Sequence, residues 1–200
     1  MATKAVKVKD RGWIRISLAL KAMDGYEATI GVHGDTGAHK GDIDNVGLAA
    51  IHEFGVQFRH PGGTPFMMAS QGGSSRSGGM VGAGQVTFLP KGDPRAIGIT
   101  RPHMIQIPER SFLRSAWDKN VRKYERALQK QAGQVIDGKA TAKQAIGRVA
   151  EKALGDIVRG INRGIPPPNT PATIRRKGSS KPLIDTGQLK MAIKVKVGKR

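Results

Sequence analysis

Apolar and polar positions along the chain change period several times, and each change marks an element. Val6 and Val8 alternate with Lys7 and Lys9, the two-residue period of a short half-buried strand. Asp10 is placed to cap a following helix in which Trp13, Ile16, Leu20 and Met23 recur at helical spacing, and Asp24-Gly25 stops it. Tyr26, Ala28, Ile30 and Val32 alternate with Glu27, Thr29 and Gly31 and predict a strand. Residues 33–41 form a polar, glycine-rich loop. Asp42 or Asp44 caps the next short helix, which carries Val46, Leu48, Ala49, Ala50, Ile51 and Phe54. It stops at Gly55, the residue expected at a left-handed helix end.

From residue 56 to residue 101 the texture changes. Phe58, then Phe66, Met67 and Met68, then Val86, Thr87, Phe88 and Leu89 read as strand pieces around the glycine- and serine-rich residues 71–85. The stretch reads as an extended hairpin-like insertion whose tip gains order from a partner. His103-Met104-Ile105-Gln106-Ile107 is a strand, and Pro108 suits the first turn of a helix, with Glu109 complementing its dipole. That helix carries Phe112, Leu113, Ala116, Trp117, Val121, Tyr124 and Leu128 and continues to about Ile136. Its first apolar residues anchor it on the sheet. After Asp137-Gly138 a second helix carries Ile146, Val149, Ala150, Ala153, Leu154, Ile157, Val158 and Ile161 and ends at Gly164.

Residues 165–182 are proline-rich and basic and read as extended; residues 185–189 suit a turn or one helical turn. Ile193, Val195 and Val197 alternate with lysines in a last strand able to pair with the N-terminal ones. The fold class is therefore α+β. A small, mainly antiparallel sheet packs on helices, two of them long and in the C-terminal half, with an extended insertion arm and a basic C-terminal tail. One domain over residues 1–200 is expected, with the insertion at 56–101 and the Pro-rich basic segment at 165–184.

Composition sharpens this picture. A hydrophobic share of 38%, nine aromatic residues and 27 glycines leave a modest core, so stability leans on partner subunits. The net charge of +19 suits an acidic partner or a polyanion, and residues 171–200 hold nine Lys/Arg against the single Asp185. Aromatic residues hardly interleave with these charges, which argues against a base-stacking surface. With no cysteine, disulfides and cysteine-rich metal sites are excluded. No run approaches the ~20 apolar residues of a membrane span and no secretory signal is visible, so a soluble protein made in the cytoplasm is expected.

Three local patterns suggest chemistry, and each fails on spacing. His52-Glu53 opens like a zinc-protease helix, but Val56 stands where the second histidine belongs and Gly55 ends the helix first. Residues 133–139 match most of a phosphate-binding loop, yet Ala140 replaces the metal-binding hydroxyl and the preceding segment is helical, so a helix–helix connection explains both glycines. Leu183-Ile184-Asp185-Thr186-Gly187 resembles the active-site turn of retroviral-type aspartic proteases, but Gln188 follows in place of a small residue; Asp185 reads as an N-cap or turn former. The five histidines are scattered. No catalytic, metal or cofactor site is assigned, and the residues argue against an enzyme.

Three stretches taken in order carry a resemblance. They are residues 48–55 (Leu-Ala-Ala-Ile-His-Glu-Phe-Gly), 107–114 (Ile-Pro-Glu-Arg-Ser-Phe-Leu-Arg) and 167–189, from Pro167-Pro168-Asn169-Thr170-Pro171 to Asp185-Thr186-Gly187-Gln188-Leu189. Together, with the helical pair between the second and third, they resemble the tail-completion (neck, or virion morphogenesis) proteins of long-tailed bacteriophages. The resemblance implies a non-enzymatic virion protein that works as a ring, expected to hold six copies. The ring would sit on the tail terminator or tail tube and receive the head connector or stopper, with double-stranded DNA in its lumen and no membrane partner. The 56–101 insertion departs from the shorter members of that family.

Within this reading His52, Glu53, Glu109, Arg110, Arg114, Arg175, Arg176, Lys177 and Asp185 are the candidate subunit or partner contacts. Arginine is favoured there because it pairs carboxylates through two parallel bonds. The competing reading, carried by net charge alone, is a basic DNA-binding protein acting during packaging or ejection.

Overall fold

A computed structural model of the chain describes residues 12–34, 44–68, 73–74, 80–81, 86–184 and 187–200; the side chains of 73–74, 80–81, Ala172 and Arg176 lie outside that description. The expected strand at residues 5–9, the Asp10 cap, the Asp42 alternative, most of the 71–85 tip and Asp185 fall outside it as well. Small antiparallel sheets and helices, two of them long, make an α+β fold. The described residues divide into two compact units, one of residues 12–31, 117–156 and 194–200, the other of residues 32–116 and 157–193.

The first unit begins with α1 (Trp13–Asp24), entered through Gly12 in a left-handed conformation, and β1 (Tyr26–Val32). β1 pairs with β9 (Ile193–Lys199), the expected closure of the C-terminal strand on the N-terminal one. The Arg200 N–H donates to the Gly25 carbonyl at 3.1 Å, so the start of one strand lies beside the end of the other. The long helices α3 (Arg114–Ile136) and α4 (Ala142–Arg163) supply most of this unit. Thr141 and Gln144 cap α4 reciprocally, each side chain bonding the other's backbone N–H, at 3.2 and 3.0 Å. Gly133 lies within α3 and Gly138 in the turn between the helices, a helix–helix connection as expected.

Met23, Ala142 and Ala145 form the buried cluster of this unit, with Tyr26, Ala132, Val135 and Ile146 packed on it. The Lys123 Nζ bonds both oxygens of the buried Asp156, at 2.7 and 2.6 Å, and ties α3 to α4. The stripe expected to bury α1 does not do so. Met23 is buried, but Trp13 is 73% exposed, and Ile14, Leu18 and Leu20 face outward. Trp117, expected to anchor the long helix on a sheet, is 50% exposed, with its ring centroid 5.2 Å from that of Tyr124.

The second unit holds α2 (Asn45–Phe54), capped by the Asp44 carboxylate, which accepts from the Gly47 N–H at 2.6 Å. From Gly55 the chain enters β2 (Val56–His60), which pairs antiparallel with β8 (His103–Ile107), Val56 opposite Ile107 and His60 opposite His103. This ladder is the root of the insertion arm. Farther out, β3 (Pro65–Met68) lies between β6 (Val86–Phe88) and β7 (Gly98–Ile99), and β4 (Gly73–Ser74) pairs with β5 (Met80–Val81).

Two further helices complete the unit: α5 (Pro171–Lys177) and α6 (Gln188–Ala192), the latter packed on α2. α5 corrects the expectation that residues 165–182 are extended throughout. Thr170 caps it by accepting from the Thr173 N–H at 3.3 Å, Pro171 occupies its first turn, and Gly178 closes it in a left-handed conformation. The prolines that suggested extension instead bracket the start of a helix, where a missing N–H costs nothing.

Candidate functional site

The centre of the second unit is the joint between β8 and α3, where the local reading needs correcting. Pro108 and Glu109 do not open the helix, which begins at Arg114. Residues 108–113 run as an irregular link, fastened where the Arg110 N–H donates to the His52 carbonyl at 2.7 Å. The carboxylate at the helix N-terminus comes from another element: it is Glu53, near the end of α2.

Glu53 is 5% exposed. One of its oxygens accepts from the Phe112 and Leu113 N–H groups at 2.8 and 3.0 Å. The other accepts from the Arg114 N–H at 3.0 Å and from the Ser111 hydroxyl at 2.7 Å. Four donors thus satisfy one buried charge, and the orphan N–H groups of the helix start are satisfied in return. Gly55 makes the approach possible. Its φ of +70° is a conformation side chains avoid, and a Cβ there would stand 2.8 Å from the Glu109 nitrogen. Phe112 lies 1% exposed beside this arrangement, the core role expected of it.

Arg110 fastens the third stretch. Only 8% exposed, it donates from Nε to the Pro167 carbonyl at 2.8 Å and from Nη2 to the Pro168 carbonyl at 3.3 Å. Its burial lowers its pKa from the ordinary arginine value. Residues 48–55, residues 107–114 and the Pro167-Pro168 start of the third stretch, separate in sequence, are therefore joined by hydrogen bonds.

A cleft of about 690 Å³ opens on this framework, lined among others by Leu48, His52, Ile107, Arg110, Lys177 and Leu189. Burial, then the nearby charges of Arg110 and Lys177, hold the His52 pKa down at about 4, so the imidazole is neutral at physiological pH. Its Nδ1 is buried without a hydrogen-bond partner. Leu183, also lining the cleft, is buried and takes a φ of +62°, a conformation that costs a branched residue about 1 kcal/mol or more.

The candidate contact residues thus separate into distinct groups. Glu53 and Arg110 are internal fasteners, not surface charges, which corrects their expected exposure. His52 and Lys177 line the cleft. Glu109 and Arg114 are exposed, ion-paired with each other, and the Arg114 guanidinium lies 5.9 Å from the centre of the Phe54 ring. Arg175 is exposed on α5. The Arg176 side chain and Asp185 lie outside the described residues. Among the described residues no three His, Asp or Glu side chains come together as a metal site would require, and no helix is long and apolar enough to cross a membrane. Comparisons with family models, curated proteins and solved structures find no match to this chain.

Proposed function

We propose that this chain is a structural assembly protein of a phage virion, a ring subunit that completes the tail and joins it to the head connector. The observation that carries the reading is the convergence of residues 48–55, 107–114 and 167–189, on which the resemblance rests. Three unrelated short matches have no reason to meet. Here Glu53 of the first caps the helix that the second begins, and Arg110 of the second holds the prolines of the third.

The arm adds support. Phe66 opposite Phe88 and Met68 opposite Val86 place four apolar side chains on one face of the β6–β3–β7 sheet, and Met68, Val86 and Phe88 are each more than half exposed. Exposed apolar area of this kind is covered in an assembly, and a closed ring needs such a surface on each side of its subunit. In this reading the arm reaches a neighbouring copy. The exposed Glu109–Arg114 pair and Arg175 contribute rim contacts between subunits, the tail tube and the head connector, with duplex DNA passing through the lumen.

The test is electron microscopy of particles made without the protein. Filled heads and separate, complete tails are expected. Normally joined, infectious particles would overturn the proposal.

A further inference from the structure

The outer face of α3 carries a charge pattern that the joint around Glu53 does not use. At 3.6 residues per turn, Lys119, Arg122, Arg126 and Lys130 fall within an arc of about 80° and run along about 16 Å of the helix. All four are exposed, and among the described residues none of them is ion-paired or hydrogen-bonded. Gln129 and Gly133, also exposed, complete the arc, and a Cβ added at Gly133 would meet nothing within 4 Å. We propose that this stripe is a phosphate-binding surface for duplex DNA, one that follows the backbone without reading its sequence.

The charges around the stripe do not neutralise it. Lys123 stands at one border of the arc and is bound to the buried Asp156. Asp118 and Glu125 stand at the other border, exposed, and among the described residues neither is ion-paired with the stripe. The arc itself holds no carboxylate. Lys119 and Arg122 are three positions apart, Arg122 and Arg126 four, and Arg126 and Lys130 four. Like charges at those spacings repel along a helix and weaken it, a cost that a bound polyanion relieves.

The kind of polyanion follows from what else the face offers. Protein interfaces hold apolar side chains at their centre and are poor in lysine. The arc has no aliphatic or aromatic side chain, and by helical spacing Trp117 and Leu128 lie about a third of a turn or more outside it. Interfaces with DNA are instead polar and strongly positive. Without an aromatic ring to stack on a base, the face suits paired rather than single-stranded nucleic acid. A duplex carries one charge per about 1.7 Å of its axis, dense enough to meet all four cations at once. That the duplex is the DNA in the lumen of the ring rests on the assembly reading; the phosphate chemistry of the stripe does not.

The experiment titrates the purified full chain against fluorescein-labelled DNA duplexes of two unrelated sequences and against labelled polyglutamate, followed by anisotropy between about 50 and 200 mM salt. The two duplexes should bind alike, and polyglutamate more weakly than either. Arg122→Gln combined with Arg126→Gln should reduce the slope of log affinity against log salt by about two, one for each lost phosphate contact. Arg59→Gln combined with Lys91→Gln removes the same charge from exposed positions of the arm and should leave the slope unchanged. Arg122→Lys combined with Arg126→Lys keeps the charges and should keep the slope, which separates lost contacts from a damaged helix.

An equal fall in slope for the arm pair would reduce the binding to net charge and overturn the proposal. So would an unchanged slope for the Arg122 and Arg126 glutamine pair, a preference for one duplex sequence, or polyglutamate binding as tightly as DNA. Duplex binding by the pure chain and particle joining in the cell are separate readouts, so this inference and the assembly reading can fail independently.

Discussion

The Glu53 carboxylate accepts the Phe112 N–H at 2.8 Å across 59 positions of sequence, and it is the acid that starts the longest helix of the protein. Removing it should be costly. Glu53→Ala leaves several donors unsatisfied in a buried place and should destabilise the chain by about 3 kcal/mol, read from urea unfolding. Glu109→Ala, at the exposed acid that local sequence logic places at the helix start, should change stability by no more than about 0.5 kcal/mol.

Arg110→Ala should also destabilise, by about 2 kcal/mol, because two proline carbonyls lose their donors and a buried space opens. As a subunit or partner contact alone, the role the sequence suggests for it, Arg110 would be removable without loss of stability. Arg110→Lys keeps the charge without the fork and should fall between the two in thermal unfolding.

His52 titrates near 4 in the folded chain, against an ordinary 6.5. Between those values the unfolded chain binds a proton on this ring and the folded chain does not. Its contribution to stability is therefore full above about pH 6.5 and is lost as the pH falls toward 4. His52→Gln should flatten the change in urea midpoint between pH 7 and pH 5. An unchanged slope would show that the ring is not held neutral by its surroundings.

Phe112→Ala should cost about 3–5 kcal/mol, the loss typical of a fully buried aromatic. Trp117→Ala, five positions on and half exposed, should cost under about 1.5 kcal/mol by the same measurement.

These contrasts show what the sequence reveals and what it hides. The long helices, the Asp44 cap, the β8 strand and the C-terminal strand were legible because their causes are local: periodicity, a capping side chain, alternation. The Glu53 cap was not, because a carboxylate supplied from a distant helix leaves no pattern near the helix it starts. Pro108 and Glu109 mimic a helix start so well that the true one, six residues later, was missed. Trp13 and Trp117 illustrate a second limit. Hydrophobic spacing marks which face of a helix is apolar and says nothing of what covers it. The site was legible as three ordered stretches but not as one object, since the bonds joining them run through Glu53, Arg110 and backbone carbonyls that carry no local signature.

The central claim, that this chain joins completed tails to filled heads, is tested most directly by restoring it in vitro. Extracts from infections lacking the protein are mixed with the purified full chain, and infectious particles are counted. The account predicts that infectivity is restored and that filled heads and tails, separate before addition, appear joined by electron microscopy. An extract that stays uninfectious although its heads and tails are complete, or one that needs no addition, would contradict it.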